Sequence, residues 1–138
     1  MRFMIIVKAN KDSEAGVLPS QELLTEMMNY NEELVKAGVM VSGDGLQASS
    51  KGARVKFSGG KTTVTDGPFA ETKELIAGYW IFQVKSKQEA IDWVRRAPME
   101  DTELEIRQIF EPDDFGDNLT PSLKAKEQQL RARAAGKK

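Results

Sequence analysis

The 138-residue chain contains no histidine and no cysteine. It therefore lacks a thiolate nucleophile, the common zinc ligands and the one side chain that titrates near neutrality without perturbation. Serine-histidine triads, thiol catalysis, histidine-ligated haem or zinc and a disulfide scaffold are all excluded. A carboxylate-only site for a hard cation finds no support either, because no looped D-x-D-x-D run is present. No metal and no cofactor are expected. Long hydrophobic runs are missing as well: the longest, such as residues 3–7, fall far short of the roughly 20 residues that span a bilayer. The N-terminus MRFMIIVK carries an apolar run of five behind one arginine, too short for a signal-peptide core. These absences predict a cytoplasmic protein with no membrane span.

What is present suits a globular domain, with 40% hydrophobic and 30% charged residues. At this length a single domain buries roughly two-thirds of the surface its unfolded chain exposes. The net charge of −1 conceals an asymmetry: residues 1–119 hold 14 Lys/Arg against 20 Asp/Glu, and residues 120–138 hold 6 against 1. An acidic body argues against a nucleic-acid partner, since lysine and arginine meeting phosphate supply most of that affinity. The division expected is a domain over residues 1–112 and, over 113–138, an acidic linker with a basic, helix-favouring tail. Leu123 and Leu130 are that tail's only large apolar residues, so it reads as a loosely docked helix or a disordered appendage.

Within the body, Phe3, Met4, Ile5, Ile6 and Val7 form a short continuous apolar run suited to a strand buried on both faces. A polar linker follows over residues 9–18. Pro19 and Ser20 then signal a helix in which Leu23, Met27 and Leu34, with Leu24, Met28 and Val35, recur at helical spacing up to Gly38. Val39, Met40 and Val41 resume a strand pattern that Gly43, Asp44 and Gly45 bend or stop. Residues 54–58 and 61–65 flank Gly59 and Gly60, a hairpin signal. Residues 75–84 make a long strand, Ser86 and Glu89 have capping-box spacing, and Ala90 to Ala97 complete a second helix ended by Pro98. Leu104, Ile106 and Phe110 share one face of a last strand.

This order is strand, helix, strand, inserted hairpin, strand, helix, strand. It predicts an α+β fold, a ferredoxin-like split β-α-β sheet. Two helices cover one face of such a sheet, yet residues 3–7 and 79–82 are apolar on both. A second copy related by a two-fold axis buries the other face, which predicts a homodimer with a cavity between the sheets, open to a small-molecule ligand.

The stretch TDGPFAETKELIAGYW, residues 65–80, concentrates the chemistry. Its turn residues have structural reasons to be there: Asp66 accepts from downstream amides, Gly67 permits a positive φ, Pro68 fixes its own, and Phe69 pins the loop into the core. Gly78 inside a strand marks a bulge or a close backbone contact. The functional reading takes Asp66, Glu71 and Lys73 as candidate catalytic residues, with a carboxylate tuned by desolvation and a neighbouring cation acting as base. Asp44, Arg54, Tyr79, Glu74 and Tyr30 are candidate ligand-binding residues.

Asp66-Gly67-Pro68-Phe69, followed by Glu71, Lys73-Glu74 and Gly78-Tyr79, resembles the signature of the YCII-related family in its DGPF-domain branch. The likeness extends over residues 1–112, through MRFMIIVK, the turn at 43–46, the helix at 86–93 with Glu89-Ala90, and Glu105-Ile106-Arg107. It implies a dimeric α/β barrel. Members of the YCII type are associated with a histidine-aspartate pair, of which this chain lacks the histidine, and some relatives act as lyases or cofactor-free enzymes. The DGPF branch is also associated with extracytoplasmic-function sigma factors, which implies a sensor or accessory role. The alternative is a cofactor-independent lyase or isomerase with Asp66 or Glu71 as base and Lys73 or Arg54 stabilising negative charge.

Overall fold

The structure, a computed structural model, describes residues 1–136; the last two residues of the expected tail lie outside it. The chain forms two compact units, Met1–Gln108 and Ile109–Lys138.

The first unit contains strands β1 (Arg2–Lys8), β2 (Met40–Gly45), β3 (Ala53–Ser58), β4 (Lys61–Asp66), β5 (Ile76–Gln83) and β6 (Leu104–Gln108), with helices α1 (Lys11–Glu14), α2 (Gln21–Lys36) and α3 (Lys87–Val94). The main sheet has the order β2-β5-β1-β6, and each neighbouring pair is antiparallel. β1 and β2, joined through α2, therefore run parallel with β5 inserted between them, which is the split β-α-β arrangement of the ferredoxin-like fold.

Pairing of Phe3 with Phe82 and of Ile5 with Trp80 and Ile106 sets these side chains on one face. That face meets α2 and α3: Phe3, Ile5, Leu34, Phe82 and Ala90 have at most 2% of their surface exposed and share one core cluster. Each of the larger side chains contributes about 1.5–3 kcal/mol on burial. The Ser20 hydroxyl caps α2 by accepting from Leu23 N, and Leu23, Met27, Tyr30 and Leu34 then follow at three- and four-residue spacing. Gly38, at φ +71°, ends the helix, and Val39 N donates back to Leu34 O at 2.9 Å. Ser86 caps α3 in the same way by accepting from Glu89 N.

The opposite face of the sheet carries Met4, Ile6, Tyr79 and Ile81, half-buried, beside Ser42, Asp44, Lys8, Glu105 and Arg107. β3 and β4 form a separate two-stranded sheet whose twelve residues are all exposed. Gly59 and Gly60, at φ +58° and +76°, make its two-residue turn.

Several expectations need correction. The linker at 9–18 contains the one-turn helix α1, in which Asn10 Oδ1 accepts from Ser13 N and Ser13 Oγ accepts from Asn10 N; four residues are too few to show a hydrophobic period. β2 does not stop at Gly43 but runs through Gly45. The last turn after α3 tightens, with Arg96 N bonded to Trp93 O and Ala97 N to Val94 O. Phe69 is not in the core cluster: it lies half-buried beneath the Arg54 guanidinium, 3.8 Å from the ring centre. Gly67 has no positive φ; close packing explains it instead, as shown below.

In the second unit, a 3-10 run over Pro112–Asn118 precedes helix α4 (Pro121–Ala135), which the Thr120 hydroxyl caps. Phe110 and Phe115 stack with ring centres 4.7 Å apart, and Arg131 pairs with Glu127 one turn before it.

Candidate functional site

Two short segments and one loop meet beside β4. Glu14, at the end of α1, accepts from Ser49 Oγ and Ser49 N, and Ser49 Oγ in turn accepts from Phe69 N at 3.0 Å. These two bonds from Ser49, the hydroxyl first, hold the Glu14 carboxyl below its ordinary value of 4.5. A Cβ on Gly67 would lie 1.8 Å from Ser49 O and 2.6 Å from its carbonyl carbon. Gly67 N also donates to Gly52 O. Asp-Gly-Pro-Phe is thus a loop pressed against the backbone of the turn at residues 49–52, and its glycine is required by contact distance rather than by torsion.

Of the expected catalytic group, Asp66, Glu71 and Lys73 all stand exposed around this loop. Glu71 Oε2 sits 3.5 Å from the Arg54 guanidinium, itself half-exposed and stacked on Phe69. Glu74 lies in the same exposed 3-10 turn as Lys73. None of these five residues lines either of the clefts described below. Tyr30 is buried, and its hydroxyl donates to Trp93 O at 2.6 Å; burial pushes its pKa to about 12.

The structure does bring Asp44 and Tyr79 together. They face each other across β2 and β5 on the sheet face opposite the core, and Tyr79 Oη donates to Asp44 Oδ2 at 2.8 Å. That hydrogen bond, reinforced by the aspartate charge, raises the Tyr79 pKa and keeps the phenol protonated. Across the same face Ile6 separates this pair from Glu105, which holds Lys8 at 3.1 Å and Arg107 at 3.2 Å. Hydrogen bonds from Lys8 and then Arg107 lower the Glu105 pKa.

On the helix side of the same sheet end lies a cleft of about 280 Å³. Trp80, Val7, Met27, Met99, Pro19 and the bare backbone of Gly43, Gly45 and Gly78 form much of its wall. Gly43 leaves room for the indole: a Cβ there would stand 2.6 Å from Trp80 Cδ1. Gly78 approaches β2 closely, since its Cβ would meet Asp44 O at 3.0 Å, and the adjoining register shift of β1 and β5 leaves Ala77 as an extra residue. Trp80 Nε1 donates to Asn31 Oδ1 at 2.9 Å, and Tyr30 meets the indole edge-on at 5.6 Å. Strand alternation turns the Asp44 and Tyr79 side chains away from this cleft, so they border it through their backbone. A larger cleft, of about 740 Å³, adjoins it through Val7, Ala77 and Met99 and carries Glu22, Glu26 and Glu100 in its wall. Sequence reasoning passed over Asn31, Ser49 and Glu14. An asparagine inside an otherwise amphipathic helix is a usable signal, because its poor helix propensity calls for a side-chain role.

A ferredoxin-like α+β domain, with a small apolar cleft between its first long helix and one end of the sheet, is the class of protein these features define. The YCII-related domain matches residues 1–113, and the chain belongs to that family. An uncharacterized protein of Rhizobium meliloti (strain 1021) is 32% identical over 75 residues, a stretch covering 54% of this chain and 60% of that protein. The chain thus spans about 60% of the length of the curated relative it matches. Among solved structures, 5-chloro-2-hydroxyhydroquinone dehydrochlorinase from Burkholderia phenoliruptrix, in complex with 2,5-dihydroxybenzoquinone, is similar at a TM-score of 0.44 and 14% identity, covering 80% of this chain and 95% of that one. No helix among the described residues is long and apolar enough to cross a membrane.

Proposed function

We propose that this YCII-related protein is a homodimeric small-molecule-binding protein, a sensor or accessory protein, and that its ligand sits in the Trp80 cleft. The cleft itself carries the reading: a concave apolar wall with an aromatic floor and an oriented side-chain amide, near the lower end of the volumes that hold small ligands. It lies within one chain, whereas the sequence pointed to a cavity between two sheets. The second copy has a separate support. Met4, Ile6 and Ile81 sit outside the core cluster, on the face away from α2 and α3, as a stripe that a two-fold partner would cover. Asp44 and Tyr79 border that stripe and are the polar pair such a partner would meet.

The cleft is tested by titrating a mixture of neutral aromatic fragments into 15N-labelled protein and following the indole N–H resonance of Trp80, assigned with a Trp93→Phe variant. Millimolar fragments are expected to shift that resonance and leave the hairpin amides unchanged. A Trp80 signal that no fragment moves, in a protein that remains folded, refutes the reading.

A further inference from the structure

The Trp80 cleft reveals the chemistry of what it takes. An indole N–H only donates, so the bond to Asn31 fixes the amide with its oxygen toward Trp80 and its NH2 turned away. That NH2 has no protein acceptor among the described residues and belongs to a side chain that lines the cleft. Around it the side chains are apolar: Val7, Pro19, Met27, Met99 and the indole face. An uncharged body with one acceptor oxygen completes such a site, because Asn31 is only half-buried on its own but a ligand seated against it would cover the NH2, and a donor covered without an acceptor costs free energy.

Charge excludes the ionised alternatives to that oxygen. Among the described residues Lys8 is the only cation in the wall of the adjoining cleft, and Glu105 already holds it at 3.1 Å. Glu22, Glu26 and Glu100 line that cleft without an ion pair among the described residues. A carboxylate ligand would enter against three negative charges with no cation left to receive it.

Building on the ligand-binding reading above, we infer that the ligand is a neutral, compact carbonyl compound, an aromatic or alicyclic ketone, aldehyde or ester, whose oxygen accepts from Asn31 Nδ2 while its ring lies on Trp80.

Three probes of similar size separate the possibilities: acetophenone, ethylbenzene and benzoate, each titrated against the Trp80 indole resonance. Acetophenone is expected to bind about fivefold more tightly than ethylbenzene, the worth of one neutral hydrogen bond. Benzoate is expected to bind more weakly than either. In Asn31→Asp, which keeps the acceptor for the indole and removes the NH2, the acetophenone advantage over ethylbenzene should vanish. Asn31→Leu is the second variant, and it should give the same loss. Retention of the advantage in both variants, or benzoate binding as tightly as acetophenone, overturns the inference and leaves the cleft intact as an apolar site. Failure of all three probes to move Trp80 overturns this inference together with the ligand-binding reading on which it rests.

Discussion

Replacing Gly67 by alanine tests the explanation given for the Asp-Gly-Pro-Phe loop. The new methyl would fall 1.8 Å from Ser49 O and 3.3 Å from Ser50 N, and both obstacles are backbone. Relief by sliding the loop outward is resisted at two points, since Gly67 N donates to Gly52 O at 3.0 Å and Phe69 N to Ser49 Oγ at 3.0 Å. Stretching both bonds costs about 1 kcal/mol each, and overpacking a fixed contact costs about 1–3 kcal/mol. The two routes together predict a loss of about 1–3 kcal/mol, or a fall in Tm of roughly 4–12 °C for a domain of this size. Gly45→Ala is the control: it has open space around its Cβ and no positive φ, so it should change stability by less than about 1 kcal/mol. Urea denaturation followed by far-ultraviolet circular dichroism gives both values. A Gly67→Ala protein as stable as the wild type would show that the loop moves freely off the turn at residues 49–52, and the contact would not be the reason for the glycine.

Two further outcomes follow from the open sheet face and the titrating groups. Sedimentation should give a mass about twice the chain's 15.4 kDa, and Ile6→Glu, which places a charge in the stripe with Met4 and Ile81, should give single chains; a wild-type monomer at micromolar concentration refutes the dimer. A stability-pH profile should slope at both ends. Glu14 and Glu105 have folded-state pKa values below the ordinary 4.5, so their contribution is present above that value and is lost as pH falls through the lowered ones. Tyr30 and Tyr79 are raised above 10.0, so theirs is present below 10.0 and is lost as pH rises toward the raised values. Ser49→Ala should flatten the acid limb, and Asp44→Asn should bring the phenolate absorbance of Tyr79 back toward 10.0; a folded protein whose tyrosines both ionise at 10.0 contradicts the geometry.

Much of the fold was legible because it depends on local rules. Serines 20 and 86 cap helices whose apolar residues recur every three or four positions, Gly59-Gly60 admits only a tight turn, and the apolar runs at 3–7 and 79–82 mark central strands. The order of these elements favours the split β-α-β sheet, because a helix is the usual crossover between parallel strands of one sheet.

The site was less legible, since its contacts join residues far apart in the chain. Asn31 reaches Trp80 across 49 positions, Glu14 reaches Ser49 across 35, and Tyr79 reaches Asp44 across 35. No local period or turn rule encodes such pairings. The sequence determined that histidine and cysteine chemistry is absent, that an Asp-Gly-Pro-Phe turn precedes a central strand, and that charged residues crowd around it. Only the tertiary structure decided that those charges face solvent, that the motif glycine is held by Ser49, and that the concave apolar surface gathers around Trp80. Burial and contact distance arise when α1, α2 and the sheet pack together, and they cannot be read before that packing exists.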